Sequence, residues 1–224
     1  MGFIKAPDFN VGVAFAGGQS RHNQVRRKHD FYPTPLEAPE ALIRRMPHLA
    51  RKKIWENACG EGDTARVLEY HGCDVVATDL IDRGYGKGGV DFLATARPLA
   101  TTIITNPPFN LAGPFIEHAM RMHVEEMWLL LKTQFFQAKE RLGLKDRYRP
   151  QWKLELSWRL DFTGGGAGTM DCAWFGWHRD HSRGTGWDVL PKPDISNLDL
   201  FLPDRVAQSD DQLDGAGSEQ GGLF

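Results

Sequence analysis

The run Thr105-Asn106-Pro107-Pro108-Phe109-Asn110 is the segment of this chain best suited to chemistry. Two consecutive prolines remove two backbone donors and hold the chain in a tight extended shape. Acceptors remain: the side-chain oxygen of Asn106 and the carbonyl of Pro107. A planar exocyclic amine has two N–H donors and a lone pair delocalised into its ring. Accepting both hydrogens draws the nitrogen toward a tetrahedral geometry and frees that lone pair for attack. Phe109 offers a flat face on which such a ring can stack. A Pro-Pro loop can also be purely structural, but a strand before it and a glycine turn upstream favour the chemical reading.

That glycine turn is Glu56-Asn57-Ala58-Cys59-Gly60-Glu61-Gly62. Glycines there let backbone approach a ligand at the carboxyl edge of an open α/β sheet. Asp79, about twenty residues further on, is placed to accept both hydroxyls of a ribose. Asp91 can accept an adenine amino group while Phe92 covers the ring face. Cys59 reads as a small packing residue in the turn rather than a nucleophile.

Positioning these groups requires a particular set of elements. Phe31-Tyr32-Pro33-Thr34-Pro35 cannot be helical, because each proline disfavours the α region for the residue before it. A helix is predicted over 36–48, ending near Pro47, then a strand over 53–58. A helix over 63–71 and a strand over 74–80 follow. A short third strand is predicted at 90–93 and a fourth at 101–105. A helix over 112–122 and a strand over 127–131 come next. Strands alternating with helices, and apolar on both faces, imply a mostly parallel central sheet with helices on both sides. Residues 153–160 and 171–177 read as an antiparallel pair at the end of the sheet, separated by Gly164-Gly165-Gly166-Ala167-Gly168. The expected fold is α/β and Rossmann-like.

With these residues in place, the chain resembles the class I S-adenosylmethionine-dependent methyltransferases that modify amines. It is most similar to the DNA N6-adenine methyltransferases of the small phage or prophage type. The order Tyr32-Pro33-Thr34-Pro35, then Glu56–Gly62, then Asn106–Phe109 carries the resemblance, which covers about residues 30–178. It implies that Asn106, Pro107, Pro108 and Phe109 are the catalytic residues. It further implies that S-adenosylmethionine is held by Tyr32, Thr34, Pro35, Glu56, Ala58, Gly60, Gly62, Asp79, Leu80, Asp91, Phe92 and Asn106. Thr34 and Pro35 would flank the methionine moiety, Glu56 would face its amino group and Gly60 would shape the pocket. The sulfonium methyl is already activated, so neither a metal nor a covalent intermediate is expected. The target adenine would be extruded from the duplex for in-line transfer. Ala173-Trp174-Phe175-Gly176-Trp177 resembles the aromatic segment that packs on the flipped base. Strand alternation puts Phe175 and Trp177 on one face and Trp174 on the other, with core packing the alternative for each.

Composition sets the outer bounds. The chain has 224 residues, 41% hydrophobic and 25% charged, with a formal net charge of −2. That suits one globular domain rather than a disordered, collagenous or membrane-spanning chain. Three cysteines, Cys59, Cys73 and Cys172, make no disulfide framework, so a cytoplasmic protein of a bacterial or phage-infected cell is expected. The small net charge conceals asymmetry. Residues 1–53 hold 10 Lys/Arg against 4 Asp/Glu, while residues 204–224 hold one arginine against five acids. Residues 139–159 carry seven Lys/Arg against three acids. The expected DNA contacts are therefore Arg21, Arg26, Arg27, Lys28, Lys139, Arg141, Arg147, Arg149, Trp177 and Arg179. The first of these sit in a terminus that reads equally as a phosphate-contacting arm or as an ordinary poorly ordered end.

The organisation expected is a flexible basic arm (1–29), a methyltransferase domain (30–203) and an acidic disordered tail (204–224), working as a monomer without membrane contact. With so little chain outside the domain, target reading must come from short elements, and the recognition site is expected to be short or permissive. His178 and His181 have a spacing open to a metal, but a polar basic loop is the better reading and no metal is expected. Gln220–Phe224 resembles the peptides with which bacterial replication proteins bind the sliding clamp, with Gly221 where leucine is usual; an ordinary tail is the alternative. Other readings stay open: an RNA adenine or guanine N-methyltransferase, a DNA cytosine-N4 methyltransferase, or a non-catalytic nucleic-acid-binding module on the same fold. A glutamine-directed protein methyltransferase is less favoured, because the basic segments would have no use.

Overall fold

A computed structural model describes residues 32–179 and 184–201. Seven strands form one sheet: β1 (Lys53–Glu56), β2 (Asp74–Ala77), β3 (Thr102–Thr105), β4 (Glu126–Lys132), β5 (Trp152–Leu156), β6 (Cys172–His178) and β7 (Gly186–Leu190). The helices are α1 (Glu37–Arg45), α2 (Asp63–Tyr70), α3 (Ala112–Arg121), α4 (Leu142–Arg147) and α5 (Ser196–Phe201). The strand order is β2-β1-β3-β4-β6-β5-β7. The pairs β1–β2, β1–β3, β3–β4 and β5–β7 are parallel, and β6 runs antiparallel to both β4 and β5.

Side-chain alternation explains why both faces are covered. Ile54, Ile104, Trp128, Leu130 and Trp174 point to one face and pack with Leu42 of α1. Trp55, Ile103, Met127, Leu129, Phe175 and Trp177 point to the other and meet Phe115 and Ile116 of α3. In α3 the buried positions Ala112, Phe115, Ile116 and Ala119 recur at helical spacing, and Pro114 falls in the first turn, where its missing N–H costs nothing. In α1, Glu37 and Glu40 open the helix and Arg44 and Arg45 close it, matching the helix dipole. Trp128 lies opposite Gly176 across the β4–β6 pair, and a Cβ on Gly176 would sit 2.6 Å from the indole ring. Glycine is what lets that indole lie flat on the neighbouring strand.

One buried acid ties the amino end of β4 to α1's side. Glu126 accepts from Lys52 Nζ at 2.7 Å and from Trp128 Nε1 at 2.9 Å, and lies 2.7 Å from His48 Nε2. Burial alone would raise its pKa, but hydrogen bonds from His48, Lys52 and Trp128 outweigh that and hold it at about 2.

Three expectations need correction. Residues 90–93 are not a strand: Phe92–Ala94 form a 3₁₀ turn capped by Asp91, whose carboxylate accepts the Leu93 amide. That side chain takes the amide a neighbouring strand would have used, and β2 is left as the edge strand. The strand predicted to run to residue 160 stops at Leu156, and Leu160 instead bridges Met170 across the base of a hairpin-like loop. Finally, β7 was not foreseen. Its apolar residues Trp187 and Val189 are 65% and 43% exposed, so its alternation faces solvent and does not read as core.

Candidate active site

Connections from β1 go outward to β2 and then back across to β3, so the sheet order reverses at the β1/β3 pair. Ligands in open α/β sheets bind at the carboxyl ends of strands at such a reversal. A cavity of about 350 Å³ opens there. Its walls include Tyr32 and Thr34, the turn residues Ala58 and Gly60, Asp79 and Leu80, Asp91 and Phe92, and Asn106 through Phe109. Segments more than seventy residues apart in the chain are thus brought to one hollow.

The turn is built by backbone bonds. The Cys59 amide donates to Thr78 O at 3.0 Å, and the Gly62 amide to Cys59 O at 2.8 Å. Gly60 and Gly62 have φ of +57° and +89°, the left-handed region that favours glycine. A side chain at Gly62 would overlap the ring of Tyr85. Asp79 then locks the turn to the end of β2. Its Oδ2 accepts the Gly60 amide at 2.8 Å and its Oδ1 accepts the Ile81 amide at 2.8 Å. Each oxygen keeps one acceptor position, so a diol could still be held there.

Asn106 is held from a distant part of the chain. Its Nδ2 donates to Thr34 Oγ1 at 3.1 Å, and its Oδ1 is buried without a partner among the described residues. Thr34 therefore orients the amide so that its acceptor end is left for another group. Tyr32, Phe109 and Phe162 form an aromatic cluster beside it. Tyr32 and Phe109 are stacked at 6.2 Å, and Phe162 meets both edge-on at 5.9 Å. Lys132 Nζ lies 5.4 Å from the centre of the Phe109 ring.

Other expected site residues stand elsewhere. Glu56 is 2% exposed and is not on the cavity wall. Burial, aided by the nearby Asp63 and Asp79 charges, pushes its carboxyl well above the usual range, with Thr64 and the Ala65 amide acting the other way. Pro35 and Gly62 also lie off the wall: Pro35 O accepts the Ala38 amide to open α1, and Gly62 makes room for Tyr85. Phe92 does reach the cavity, but its ring is largely spent in the core against Trp55, Phe115 and His118. Cys59 is pushed up to about 12 by burial and by the Glu56 and Asp79 charges, which suits a packing residue.

Of the basic residues, Lys139 and Arg141 follow the carboxyl end of β4 in the chain and do not line the cavity. The Arg141 guanidinium sits 4.1 Å over the Phe135 ring and donates to Phe135 O at 2.9 Å. Arg147, Arg149, Trp177 and Arg179 do not join them. Because β6 is antiparallel, Trp177 pairs with Met127 at the amino end of β4, and the Arg179 amide donates to Glu125 O. β4 spans six residue steps, about 20 Å, between the two edges. Trp177 is also 5% exposed, with its Nε1 donating to Tyr148 O, so it is a core residue remote from Asn106. Trp174 is likewise in the core, donating to Ala38 O. Arg21, Arg26, Arg27, Lys28, His181 and Gln220–Phe224 lie outside the described residues.

Two further residues had no distinct sequence signal. Phe162 stands two residues before the glycine-rich run 164–168, which marks a loop but not the site, and only its contacts with Tyr32 and Phe109 reveal it. Asn57, 2% exposed on the cavity wall, has neither amide atom paired among the described residues. Its place inside the glycine turn was visible, but its lack of partners was not.

No family model and no curated protein sequence matches this chain. Solved structures do. A Vibrio vulnificus YJ016 protein, named as a modification subunit of a type I restriction enzyme, superposes with a TM-score of 0.52 at 12% identity, over 80% of this chain and 53% of that one. A Listeria monocytogenes protein named as a class I S-adenosylmethionine-dependent methyltransferase gives 0.51 at 13% identity, over 82% of this chain and 72% of that one. A Pyrococcus horikoshii protein named as an RNA methyltransferase gives 0.51 at 13% identity, over 66% and 86%. This chain spans about half the length of the Vibrio protein. The fold is the Rossmann-like fold of class I methyltransferases, with a mixed seven-stranded sheet.

Proposed function

We propose that this chain transfers a methyl group from S-adenosylmethionine to the exocyclic N6 amine of adenine in DNA. The observation that carries this reading is Asn106: Thr34 fixes its amide, its side-chain oxygen has no partner among the described residues, and Asp79 and Asp91 line the same cavity. The residues fit the donor. Asp79 and Asp91 offer acceptors for a nucleoside, Asn57 offers an unpaired donor and acceptor for an amino-acid group, and the volume lies within the roughly 300–1,000 Å³ of small-molecule sites.

When bound, S-adenosylmethionine supplies a methyl group on a positively charged sulfur, which leaves without prior activation. The chain supplies the rest. Asn106 Oδ1 and the Pro107 carbonyl accept the two hydrogens of the target amine and face the positive charge that grows on its nitrogen. Thr34 keeps Asn106 from turning. Tyr32, Phe109 and Phe162 offer ring faces and edges to hold the base and exclude water. Extruding the base costs about a few kcal/mol, which stacking on such rings can offset. Lys132, beside the Phe109 ring, suits a flanking phosphate, with Lys139 and Arg141 following it in the chain as further candidates. A restriction-enzyme modification subunit and an RNA methyltransferase both share this fold, so both nucleic acids belong in the test.

The test is incubation with methyl-labelled S-adenosylmethionine and duplex DNA, single-stranded DNA or RNA, followed by digestion and identification of the modified base. Label as N6-methyladenine in DNA, lost in Asn106→Ala, is expected. Label confined to RNA or to cytosine would refute the substrate, and full activity in Asn106→Ala would refute the mechanism.

A further inference from the structure

The arginines that stand away from Asn106 surround a cavity of their own. It lies at the amino edge of the sheet, between α4, the end of β6 and the segment entering β4, and measures about 380 Å³. The buried Trp177 and Met127 close its floor, and the half-buried Tyr148 stands on its wall. Arg149 and Arg179 are exposed at this cavity, and among the described residues neither is paired with an acid. Arg147 is different, since its guanidinium is committed to Glu117 at 2.8 Å. Glu125 and Asp146 contribute two carboxylates, and His123 and His178 two imidazoles.

We infer that this cavity is a nucleotide site, separate from the one that holds the methyl donor. The assortment matches the parts of a nucleotide. The two exposed guanidinium groups of Arg149 and Arg179 suit a phosphate, for which arginine's planar fork is the best side chain. The half-buried Tyr148 ring suits a base. Carboxylates suit ribose hydroxyls or an exocyclic amine, which are donors. The volume also falls within the roughly 300–1,000 Å³ of small-molecule sites. A simple phosphate would have no use for the Tyr148 ring, and an apolar ligand none for the guanidinium groups. At about 20 Å from the first cavity along β4, it cannot be a subsite of that one. The nucleotide is either free or part of a strand that reaches past the catalytic edge.

Calorimetric titration of the full chain distinguishes these. The probes are 5′-AMP and a short single-stranded oligodeoxynucleotide, each measured with S-adenosylhomocysteine present to fill the first cavity. The variant is Arg149→Ala with Arg179→Ala, two exposed side chains, checked by an unchanged melting curve. Binding weakened roughly tenfold or more by the double variant is expected, with affinity for S-adenosylhomocysteine unaltered. Loss for the strand alone assigns the site to nucleic acid; loss for 5′-AMP assigns it to a free nucleotide. No binding of either probe, equal binding by the double variant, or binding that S-adenosylhomocysteine displaces would overturn the inference. Absence of methyl transfer in the labelling experiment leaves this result standing, because the titration reads binding alone.

Discussion

Thr34→Val tests whether the amide of Asn106 must be held for methyl transfer. Valine has nearly the shape of threonine but cannot accept a hydrogen bond. The change deletes the single acceptor, 3.1 Å away, that fixes Asn106 Nδ2. Thr34 is buried on the cavity wall, so once ligands fill the cavity no water replaces the hydroxyl, and the amide is left with an unmet donor. Such a group costs about 1–3 kcal/mol. The amide can escape that cost by turning its Nδ2 toward the substrate, which puts a donor where an acceptor is needed. If the cost falls on the transition state, turnover drops by about 5- to 150-fold. The assay is single-turnover transfer of labelled methyl to adenine-containing DNA, with calorimetric binding of S-adenosylhomocysteine alongside. The turnover number should fall while affinity for S-adenosylhomocysteine stays within about twofold, since the deleted bond is internal to the protein. Thr34→Ser, which keeps the hydroxyl, should restore most of the rate. An unchanged turnover number in Thr34→Val, or a loss wholly accounted for by weaker S-adenosylhomocysteine binding, would refute the positioning role.

Asp79→Ala removes the acceptor of both the Gly60 and Ile81 amides, so S-adenosylhomocysteine should bind about 10- to 100-fold more weakly by calorimetry. Gly62→Ala forces a side chain onto the Tyr85 ring at a positive φ of +89°, and thermal melting should show a loss of about 1–3 kcal/mol. Glu126 is held at about 2, below its usual 4.5, so the unfolded chain takes up its proton first as pH falls. Its contribution, about 3 kcal/mol, is complete above roughly pH 4.5 and drains away toward pH 2. Urea unfolding of Glu126→Gln should therefore show lower stability at neutral pH and a shallower decline between those values; a decline as steep as in the parent would count against the network.

Much of the fold was legible because it is written in local patterns. Thr102–Thr105 and Glu126–Lys132 carry consecutive apolar residues that fall on both faces, as a strand covered on both sides requires. The glycines of the first turn and the Pro-Pro pair restrict backbone in ways any fold must respect, so the cavity's main walls were readable from residue type and spacing. Where solvent covers an apolar face, as along Trp187 and Val189, the same patterns mislead. Val90–Leu93 misled for another reason: a single carboxylate, Asp91, took the backbone amide that a strand would have used.

The sequence by itself determined which acceptor groups are available to the amine and nucleoside of the proposed reaction: Asn106, Pro107, Asp79 and Asp91. Tertiary structure decided which groups stand beside them. The direction of β6 is set by pairing with β4, and it carries Trp177 and Arg179 to the far edge, about 20 Å from the residues they were expected to join. The return of the 157–171 loop to the near edge brings Phe162 against Phe109, and the approach of residue 34 to residue 106 fixes the one amide on which the proposed chemistry turns. Residue type and spacing constrain a chain over one or two elements. Contacts between distant segments follow from strand pairing and core packing, which no local pattern contains.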